Sequence, residues 1–462
     1  MIEFNTSDEL LQIIMDTAAI RCLSNIKDFD GRKVLVEGGG YEKIWLETQP
    51  MGGRMYAGHN MEIALNNQLM FMEHRRSDGR IPGSIALIDG KVTPQFNKLQ
   101  GFCFPDEALD MYYLSGEKDD YLTILYDTLR GFDEYLWKYR DSDGDGCLES
   151  FCRYDTGEDN AVRYADAPDP WDKEEPPTGR EAVPIASMDV MSYSYSCRRV
   201  MSIIAGMRRD DRDAIDKKRQ ADEVLDKMKD YLWDESRSAY FDRDRDHHVM
   251  PVLLHNNLRC MYWGSMTQDM ADKFVSDNLL SPAGFWTKLP LPSVAADDPL
   301  YLDDPDNNWS GQVQALTYQR AIRALERYGY IHLIPMLGNK LFEAIGRDCA
   351  FVQQFDPHTG LPSWNKADNP RPSYGPAMLS AMEYCKCMYG VRITGHKICW
   401  GAAVGRNTSY RLIHDDREYL IENVGDTAVG KIDGREVFRV KRDNRIKTDM
   451  KGNVLGVYPY SL

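Results

Sequence analysis

Apolar residues recur at the spacing of an α-helix in ten long segments of this chain, and this pattern constrains the fold more than any other feature. The loops between the segments alternate between short ones, such as 115–119, and long ones, such as 140–184 and 281–309. Because long loops in compact domains usually carry function, the alternation predicts a toroid of helical hairpins with one elaborated face. A helical solenoid is the alternative, but the sequence shows no fixed repeat period. The ten segments are residues 7–26, 60–75, 104–115, 119–139, 185–207, 211–232, 266–280, 310–328, 331–346 and 374–389.

The helical spacing of apolar residues ends near residue 395. The following residues form short runs typical of strands, separated by Gly and Asp turns. We therefore predict a mainly α protein with two parts, a helical domain at 1–394 and a small β-rich appendage at 395–462. Residues 28–55, which include GGG at 38–40, are interpreted as irregular or β-like.

The composition excludes several classes of function. The chain has 56 Lys and Arg against 72 Asp and Glu, and its net charge of −16 disfavours binding to nucleic acid or to anionic membranes. No apolar run approaches the length of a membrane span. Residues 1–22 are typical of an amphipathic helix rather than of a signal peptide. Ten scattered cysteines without a CxxC pair favour reduced, mostly buried thiols, so we expect a cytoplasmic protein.

One acidic turn has spacing that can supply oxygen ligands to calcium. Asp141, Asp143 and Asp145 alternate and are followed by Gly146. The full EF-hand pattern fails, because Cys152 stands where a bidentate Glu is needed. The alternative, a Gly-Asp turn whose carboxylates accept backbone N–H groups, is the interpretation that we favour.

Two loops combine aromatic residues with carboxylates and amides, the composition that a carbohydrate site needs. Aromatic faces stack on sugar rings, and Asp or Asn side chains bind hydroxyls. Residues 285–314 are dense in Trp, Pro, Asp and Asn, and residues 45–67 have a similar composition that includes Glu47. The alternative is that 285–314 is a Pro-stiffened crossover loop, and the composition does not decide between the two.

A third loop offers a proton donor. Residues 155–164, DTGEDNAVRY, place Glu158, Asp159 and Arg163 between two predicted helices, close to many aromatic residues. A carboxylic acid beside apolar rings has a raised pKa and can donate a proton at neutral pH. The alternative, a surface salt bridge between Asp159 and Arg163, is the better-supported interpretation when this loop is taken alone.

Four segments, in order along the chain, together resemble a known family. TGEDNAVRY at 156–164 is similar to SGxDNSPRY, and SMDVMSYSY at 187–195 to the helix start DLNAxLY. FWTKLPLPSVAADDPLY at 285–301 is similar to FWTPYGLPSxxxDDPxY, and NNWSGQVQ at 307–314 to NYWRGPVW. These patterns belong to a clan of glycoside hydrolases that contains family 63 and the family 37 trehalases. The resemblance implies an (α/α)6 barrel, inverting hydrolysis of an α-glycoside, and Asp159 as the general acid.

The same resemblance exposes a departure at the general base. FVQQFDPHTG at 351–360 is similar to FYEYFDPxTG, whose Glu is the base, but this chain has Gln353 there. A Gln amide cannot accept a proton from water at neutral pH. Three explanations stay open. Another carboxylate, such as Asp356 or Glu47, is the base; the chain is a Glu→Gln variant; or this branch has lost or changed its chemistry, for instance to phosphorolysis.

We therefore predict an inverting glycoside hydrolase that cleaves an α-linked glucoside or a related small oligosaccharide by general acid/base catalysis. Asp159 is the acid and Gln353 occupies the position of the base. The alternatives are a catalytically silent carbohydrate-binding protein, a phosphorolytic enzyme on the same barrel, and an epimerase or lyase. The chemistry requires no cofactor, and the expected partner is a small carbohydrate. The predicted substrate-binding residues are Glu47, Asn160, Arg163, Trp171, Asp189, Trp286, Asp297, Asn308, Trp309 and Trp364.

Overall fold

The computed structural model of the protein describes residues 1–305, 309–363 and 372–461. Within these residues it is mainly helical, as the apolar spacing predicts. Ten of its twelve α-helices overlap the ten predicted segments. In chain order, α1 to α12 are Glu9–Cys22, Gln49–Tyr56, Met61–Glu73, Pro105–Leu114, Asp119–Tyr139, Met188–Met207, Asp211–Tyr231, Asn256–Trp263, Gln268–Phe274, Ala315–Arg327, Leu333–Ile345 and Gly375–Tyr389.

The even-numbered helices form an inner layer. Helix α2 packs on α4, α4 on α6, α6 on α8, α8 on α10, α10 on α12 and α12 on α2, so these six helices close into a ring. The odd-numbered helices lie outside and bury one face. Helix α7, for example, buries only Ala221, Val224 and Met228. An outer helix therefore shows an amphipathic stripe, whereas an inner helix is buried nearly all round.

Two inner helices escaped prediction because they are fully buried and carry no stripe. Helix α2 lies in the segment that we interpreted as irregular or β-like, and its glycines weaken any helical signal. Packing requires glycine at 53, where a Cβ would lie 2.7 Å from the Cβ of Asn67, and a Cβ at Gly52 would lie 2.9 Å from the end of the Leu379 side chain. All eight residues of α8 are buried, and the helix ends at Gly264, whose φ of 86° is in the left-handed region.

The C-terminal residues form two antiparallel sheets. The four-stranded sheet contains Val391–Thr394, Lys397–Ala402, Asn444–Asp449 and Val454–Pro459, in that order. The five-stranded sheet contains Ile2–Thr6, Thr408–His414, Arg417–Val424, Thr427–Ile432 and Arg435–Lys441. The first strand corrects our interpretation of residues 1–22 as one helix. Ile2–Thr6 pairs with Thr408–His414, and α1 begins only after Asp8, whose side chain accepts a hydrogen bond from the backbone N–H of Leu11.

Four short two-stranded sheets and one three-stranded sheet lie in the connections between the helices of the described chain. They are Ile26–Phe29 with Arg32–Leu35; Ile44–Trp45 with Ser84–Ile88 and Lys91–Gln95; Glu149–Ser150 with Ile185–Ala186; Trp233–Asp234 with Ala239–Tyr240; and Val313–Gln314 with Gln354–Phe355.

The structure bears on the expectations about membrane spans and about cysteines. In the part of the chain that the structure describes, no helix has the length and apolar character needed to cross a lipid bilayer. All ten cysteines are free thiols and nine are buried, which confirms the expectation of reduced, mostly buried cysteines.

Candidate active site

The connections between the helices enclose a pocket of about 220 Å³ that combines three carboxylates with five aromatic rings. It contains both residues predicted for catalysis, Asp159 and Gln353, together with Glu47 and Trp309 from the predicted binding set. It also contains residues that no sequence pattern marked. The described residues that line it are Glu37, Tyr41, Trp45, Glu47, Lys98, Gln100, Tyr154, Gly157, Asp159, Trp309, Leu316, Gln353 and Tyr374.

Asp159 lies half-buried in a loop that Asp155 anchors. The Asp155 carboxylate accepts hydrogen bonds of 2.8 Å from the backbone N–H groups of Leu99 and Phe151. It also pairs with Arg140 at 2.5 Å. Burial alone would raise the pKa of Asp155, but the Arg140 charge and these hydrogen bonds outweigh it and lower the pKa. The carboxylate therefore stays ionised and holds the loop in place.

Glu47 packs directly beneath this loop. A Cβ at Gly157, whose φ is 75°, would overlap the Glu47 carboxylate, so only glycine allows the loop to lie so close. Oε2 of Glu47 accepts a hydrogen bond of 2.8 Å from Arg320, and Oε1 accepts one of 3.1 Å from Gln100. Burial nevertheless raises the pKa of Glu47 to about 7, against the opposing charges of Arg320 and Arg259.

Glu37 is the third carboxylate of the pocket, and it escaped prediction from the sequence. It precedes the three glycines at 38–40, and Gly38, with φ of 77°, turns the chain there. The Tyr374 hydroxyl donates a hydrogen bond of 2.8 Å to Oε1 of Glu37. Burial raises the pKa of Glu37 well above its ordinary value, and the carboxylate of Glu47 adds to the effect. The one feature of the sequence that could have marked Glu37 as a site residue is its position next to a Gly-rich turn.

Gln353 lies in the connection that precedes the strand Gln354–Phe355. Its backbone carbonyl accepts a hydrogen bond of 2.9 Å from the N–H of Ala315, at the start of α10. The Tyr41 hydroxyl donates a hydrogen bond of 3.0 Å to its Oε1. The Tyr41 and Tyr374 rings meet edge to face, with centroids 6.3 Å apart. Glu37, Tyr41, Gln353 and Tyr374 therefore form one wall, which we call the Gln353 wall.

Lys98 brings a positive charge to the pocket, half-buried between two rings. Its Nζ lies 4.8 Å from the centroid of the Trp45 ring and 5.1 Å from that of the Tyr154 ring, both in the range of cation–π contacts. Burial lowers the pKa of Lys98, and the nearby charge of Lys43 lowers it further. Lys98 escaped prediction because nothing in the local pattern distinguishes it from an exposed lysine.

Arg163 and Asp189, which we predicted to bind substrate, lie outside the pocket lining. Both side chains are fully buried in a charge network, where Arg163 pairs with Glu158, Asp189 and Asp242. Glu158 also accepts a hydrogen bond of 2.7 Å from His255. Burial alone would raise the pKa of Glu158, but the charges of Arg163 and Arg259 hold it well below its ordinary value. Because Glu158 and Arg163 belong to the same loop as Asp159, the network supports that loop.

The remaining predicted binding residues are not brought to the pocket. The indole N–H of Trp171 donates a hydrogen bond of 2.8 Å to the Glu175 carbonyl, and Trp286 packs against the core. Asp297 and Asn160 are exposed, and the Asn160 carbonyl accepts a hydrogen bond from Ser310. Asp356, one of the alternative bases that the sequence suggested, instead accepts from the backbone N–H groups of His358 and Thr359. Asn308 and Trp364 lie outside the described residues.

The acidic turn predicted as a calcium candidate adopts the Asp-turn geometry. Asp141 accepts a hydrogen bond of 3.1 Å from the N–H of Gly146, and Asp145 accepts one of 2.6 Å from that of Cys147. Asp143 accepts one of 3.1 Å from the N–H of Asp145. Ligand atoms of Asp143, Asp145 and His247 also lie within 4.8 Å of one another. A calcium ion at this turn stays a prediction.

Solved structures of several glycosidases share this fold. The chain is similar to mannosylglycerate hydrolase of family GH63 from Thermus thermophilus, with 16% identity, a TM-score of 0.64, and coverage of 80% of this chain and 99% of that one. Neutral trehalase from Saccharomyces cerevisiae matches with 14% identity, a TM-score of 0.57, and coverage of 80% and 79%. An α-L-rhamnosidase from Dictyoglumus thermophilum matches with 13% identity, a TM-score of 0.58, and coverage of 93% and 44%.

The sequence itself identifies the family. No curated protein matches the chain in a sequence search. The sequence model of the mannosylglycerate hydrolase MGH1-like glycoside hydrolase domain, however, matches residues 52–370, which include Asp159, Trp309 and Gln353. The chain therefore belongs to the family of MGH1-like glycoside hydrolase domains and is a glycoside hydrolase.

Proposed function

We propose that the protein is an inverting hydrolase of a small α-linked glycoside, with Asp159 as the proton donor. The observation that carries this proposal is the convergence of Asp159 with further carboxylates in one aromatic-lined pocket. Inverting hydrolysis needs one carboxylic acid to protonate the leaving oxygen and a base on the opposite face of the sugar to activate water. The family match to residues 52–370 supports the same chemistry.

The architecture supports the proposal as well. We infer that the closed ring of even-numbered helices and the outer layer of odd-numbered helices make up an (α/α)6 barrel, followed by a β-rich appendage. The pocket lies in the connections at one end of the inner ring, where Asp159 follows α5 and Gln353 follows α11. Residues from separate connections can thus approach one sugar from several sides.

The pocket dimensions favour a small substrate. Its volume of about 220 Å³ is below the roughly 300–1,000 Å³ of sites for drug-sized molecules, so we propose that it holds a single sugar ring. Trp45, Tyr154 and Trp309 contribute aromatic rings to its lining. Lys98 adds a cation, which favours an aglycone that bears a carboxylate, as in a glycosyl-glycerate. Neutral α-linked glucosides are the second candidate class.

A hydrolysis screen tests the proposal. The protein is incubated with α-glucosyl and α-mannosyl glycerates and with α-linked disaccharides, and proton NMR follows the anomer released first. We expect turnover in which the β-anomer appears before mutarotation. Retention of the α-anomer would contradict inversion, and sugar binding without turnover by any substrate would favour the binding-protein alternative.

The proton donor is tested with a matched pair of variants. Asp159→Asn is expected to lower kcat on an α-linked disaccharide by about 10²–10⁴-fold, because it removes general acid catalysis. The control is Asp169→Asn, which changes an exposed carboxylate that pairs with Arg153 outside the pocket. Hydrolysis of an α-glycosyl fluoride should survive in Asp159→Asn, since fluoride leaves without a proton. Equal activity of the two variants on the disaccharide would overturn the assignment.

A further inference from the structure

Hydrolysis with inversion requires a base that the position of Gln353 cannot supply. An amide does not accept a proton from water at neutral pH. Among the described residues that line the pocket, the carboxylates other than Asp159 belong to Glu37 and Glu47. Of the described lining residues, these two are therefore the candidates for the base, and their surroundings differ.

Glu47 is poorly placed for the task. Each of its oxygens already accepts a hydrogen bond, one from Arg320 at 2.8 Å and one from Gln100 at 3.1 Å. It also packs against Gly157, on the loop that carries Asp159. A base packed against the loop of the acid would approach the sugar from the side of the leaving group, whereas inversion needs water on the opposite face.

Glu37 belongs to the other wall. Gly38 forms backbone bridges with Tyr41 and with Tyr374, and the N–H of Gly375 donates a hydrogen bond of 2.7 Å to the Glu37 carbonyl. The N–H of Tyr374 donates one of 3.0 Å to the Phe351 carbonyl, two residues before Gln353. These contacts join the turn that carries Glu37 to the segment that carries Gln353.

The carboxylate of Glu37 is only partly engaged. The Tyr374 hydroxyl donates to Oε1, and the hydrogen bonds among the described residues include none to Oε2. Glu37 is 6% exposed and lines the pocket, which is the space from which water can reach this oxygen. A carboxylate that one tyrosine holds and that lines the pocket has the arrangement that a base requires.

We propose that Glu37 is the catalytic base that activates the attacking water in place of the glutamate that the resembling family carries at the position of Gln353. This inference rests on the proposed function. Gln353 lies on the same wall, with Tyr41 donating to its side-chain oxygen, and an amide N–H₂ group at this position can help to orient the water.

The reaction balances with water as the only co-reactant. Oε2 of Glu37 takes a proton from water, and the water oxygen forms a bond to the anomeric carbon. The bond from that carbon to the leaving oxygen breaks, and its electron pair takes the proton of Asp159. The products are the free sugar of inverted configuration and the free aglycone, and the two carboxyl groups then exchange protons with solvent.

Electrostatics agrees with this assignment. Burial, followed by the Glu47 and Asp159 carboxylates, raises the pKa of Glu37 and so increases its strength as a base once it is ionised. Since a base works only when ionised, kcat/KM should rise with pH through the raised pKa of Glu37. The hydrogen bond from the Tyr374 hydroxyl and the charge of Arg320 act in the opposite direction.

The test uses an α-glycosyl fluoride, which needs a base but no acid. Glu37→Gln is expected to lower its hydrolysis by about 10²–10⁴-fold. Glu37→Ala with added azide should form the β-glycosyl azide, because the small anion occupies the space of the water and needs no base. The control is Glu42→Gln, an exposed glutamate just after the same turn that pairs with Lys27, and it should keep parental activity.

A double variant distinguishes loss of the base from misfolding of Glu37→Gln. The double variant Glu37→Gln/Gln353→Glu moves the carboxylate to the family position. If its activity exceeds that of Glu37→Gln by at least about 10-fold, the pocket is intact. Azide rescue of Glu47→Ala instead of Glu37→Ala would overturn the assignment of Glu37, as would near-parental activity of Glu37→Gln. If the parent hydrolyses neither the fluoride nor any α-glycoside, the proposed function itself is wrong, and the assignment of Glu37 as the base is wrong with it.

Discussion

Nη2 of Arg320 lies 2.8 Å from Oε2 of Glu47, and the pKa of this glutamate is nevertheless raised to about 7. The arginine charge would by itself lower that pKa. Burial outweighs it, because removal of a carboxylate from water disfavours the charged form. Glu47 is therefore a buried acid that changes charge near neutrality, within the pocket.

This relationship predicts how stability depends on pH. The pKa of Glu47 is higher in the folded than in the unfolded protein, so its protonated form contributes stability at low pH that is lost as the pH rises through 7. A shift from 4.5 to about 7 corresponds to about 3 kcal/mol. Between pH 4 and pH 8.5, the unfolding free energy of Glu47→Gln should rise by about this amount relative to the parent, as measured in urea. Parallel pH curves for the two proteins would contradict the raised pKa.

The close packing of the loop on Glu47 predicts an unusual sensitivity at Gly157. In Gly157→Ala the new Cβ overlaps the Glu47 carboxylate and the backbone keeps a φ of 75°, so the loop must shift. We expect kcat/KM to fall by about 10²-fold, because a displacement of about 1 Å misaligns Asp159. Gly144→Ala is the matched control, since its φ is 73° but no atom lies within 4 Å of the added Cβ. If both variants lose activity equally, backbone strain rather than overlap is the cause.

The charge of Lys98 predicts substrate preference. Lys98→Met keeps much of the length of the side chain and its contact with Trp45 and Tyr154 but removes the cation. We expect KM for glycosyl-glycerates to increase by about 10-fold and KM for neutral α-disaccharides to change little. Lys43→Met is the comparison, because the Lys43 ammonium also lies near the Trp45 ring, 5.1 Å from its centroid, but outside the pocket lining. An equal change for neutral and anionic substrates would indicate lost packing instead.

The buried network behind the pocket predicts a separation of kcat from KM. Asp189→Asn leaves Arg163 and Arg259 with one carboxylate fewer in a fully buried environment, and should destabilise the fold by about 3–5 kcal/mol. Since the network supports the Asp159 loop but does not line the pocket, kcat should fall more than KM rises. Asp216→Asn, which breaks an exposed pair with Arg219, serves as the control. A large increase in KM alone would indicate direct contact between Asp189 and substrate.

Local sequence determined the features that depend on residues close together in the chain. Outer helices such as Asp119–Tyr139 and Asp211–Tyr231 carry an apolar stripe because one face meets the core and the other meets water. The loop TGEDNAVRY marked Asp159 by its order of residues, and Asp159 does line the pocket. Helical segments and one site loop could therefore be predicted from short stretches of sequence alone.

Tertiary structure decided what depends on residues distant in the chain. Helix Asn256–Trp263 has no stripe because it is buried all round, and strand Ile2–Thr6 exists because it pairs with Thr408–His414. The sequence marks Arg163 as a substrate ligand, and only the approach of Asp189 and Asp242 makes it part of a buried network. Glu37 faces the pocket because Gly38 turns the chain and because Tyr374, 337 residues away, donates a hydrogen bond to its carboxylate. Burial and partners such as these are properties of the folded chain, since they arise from contacts that no local pattern encodes.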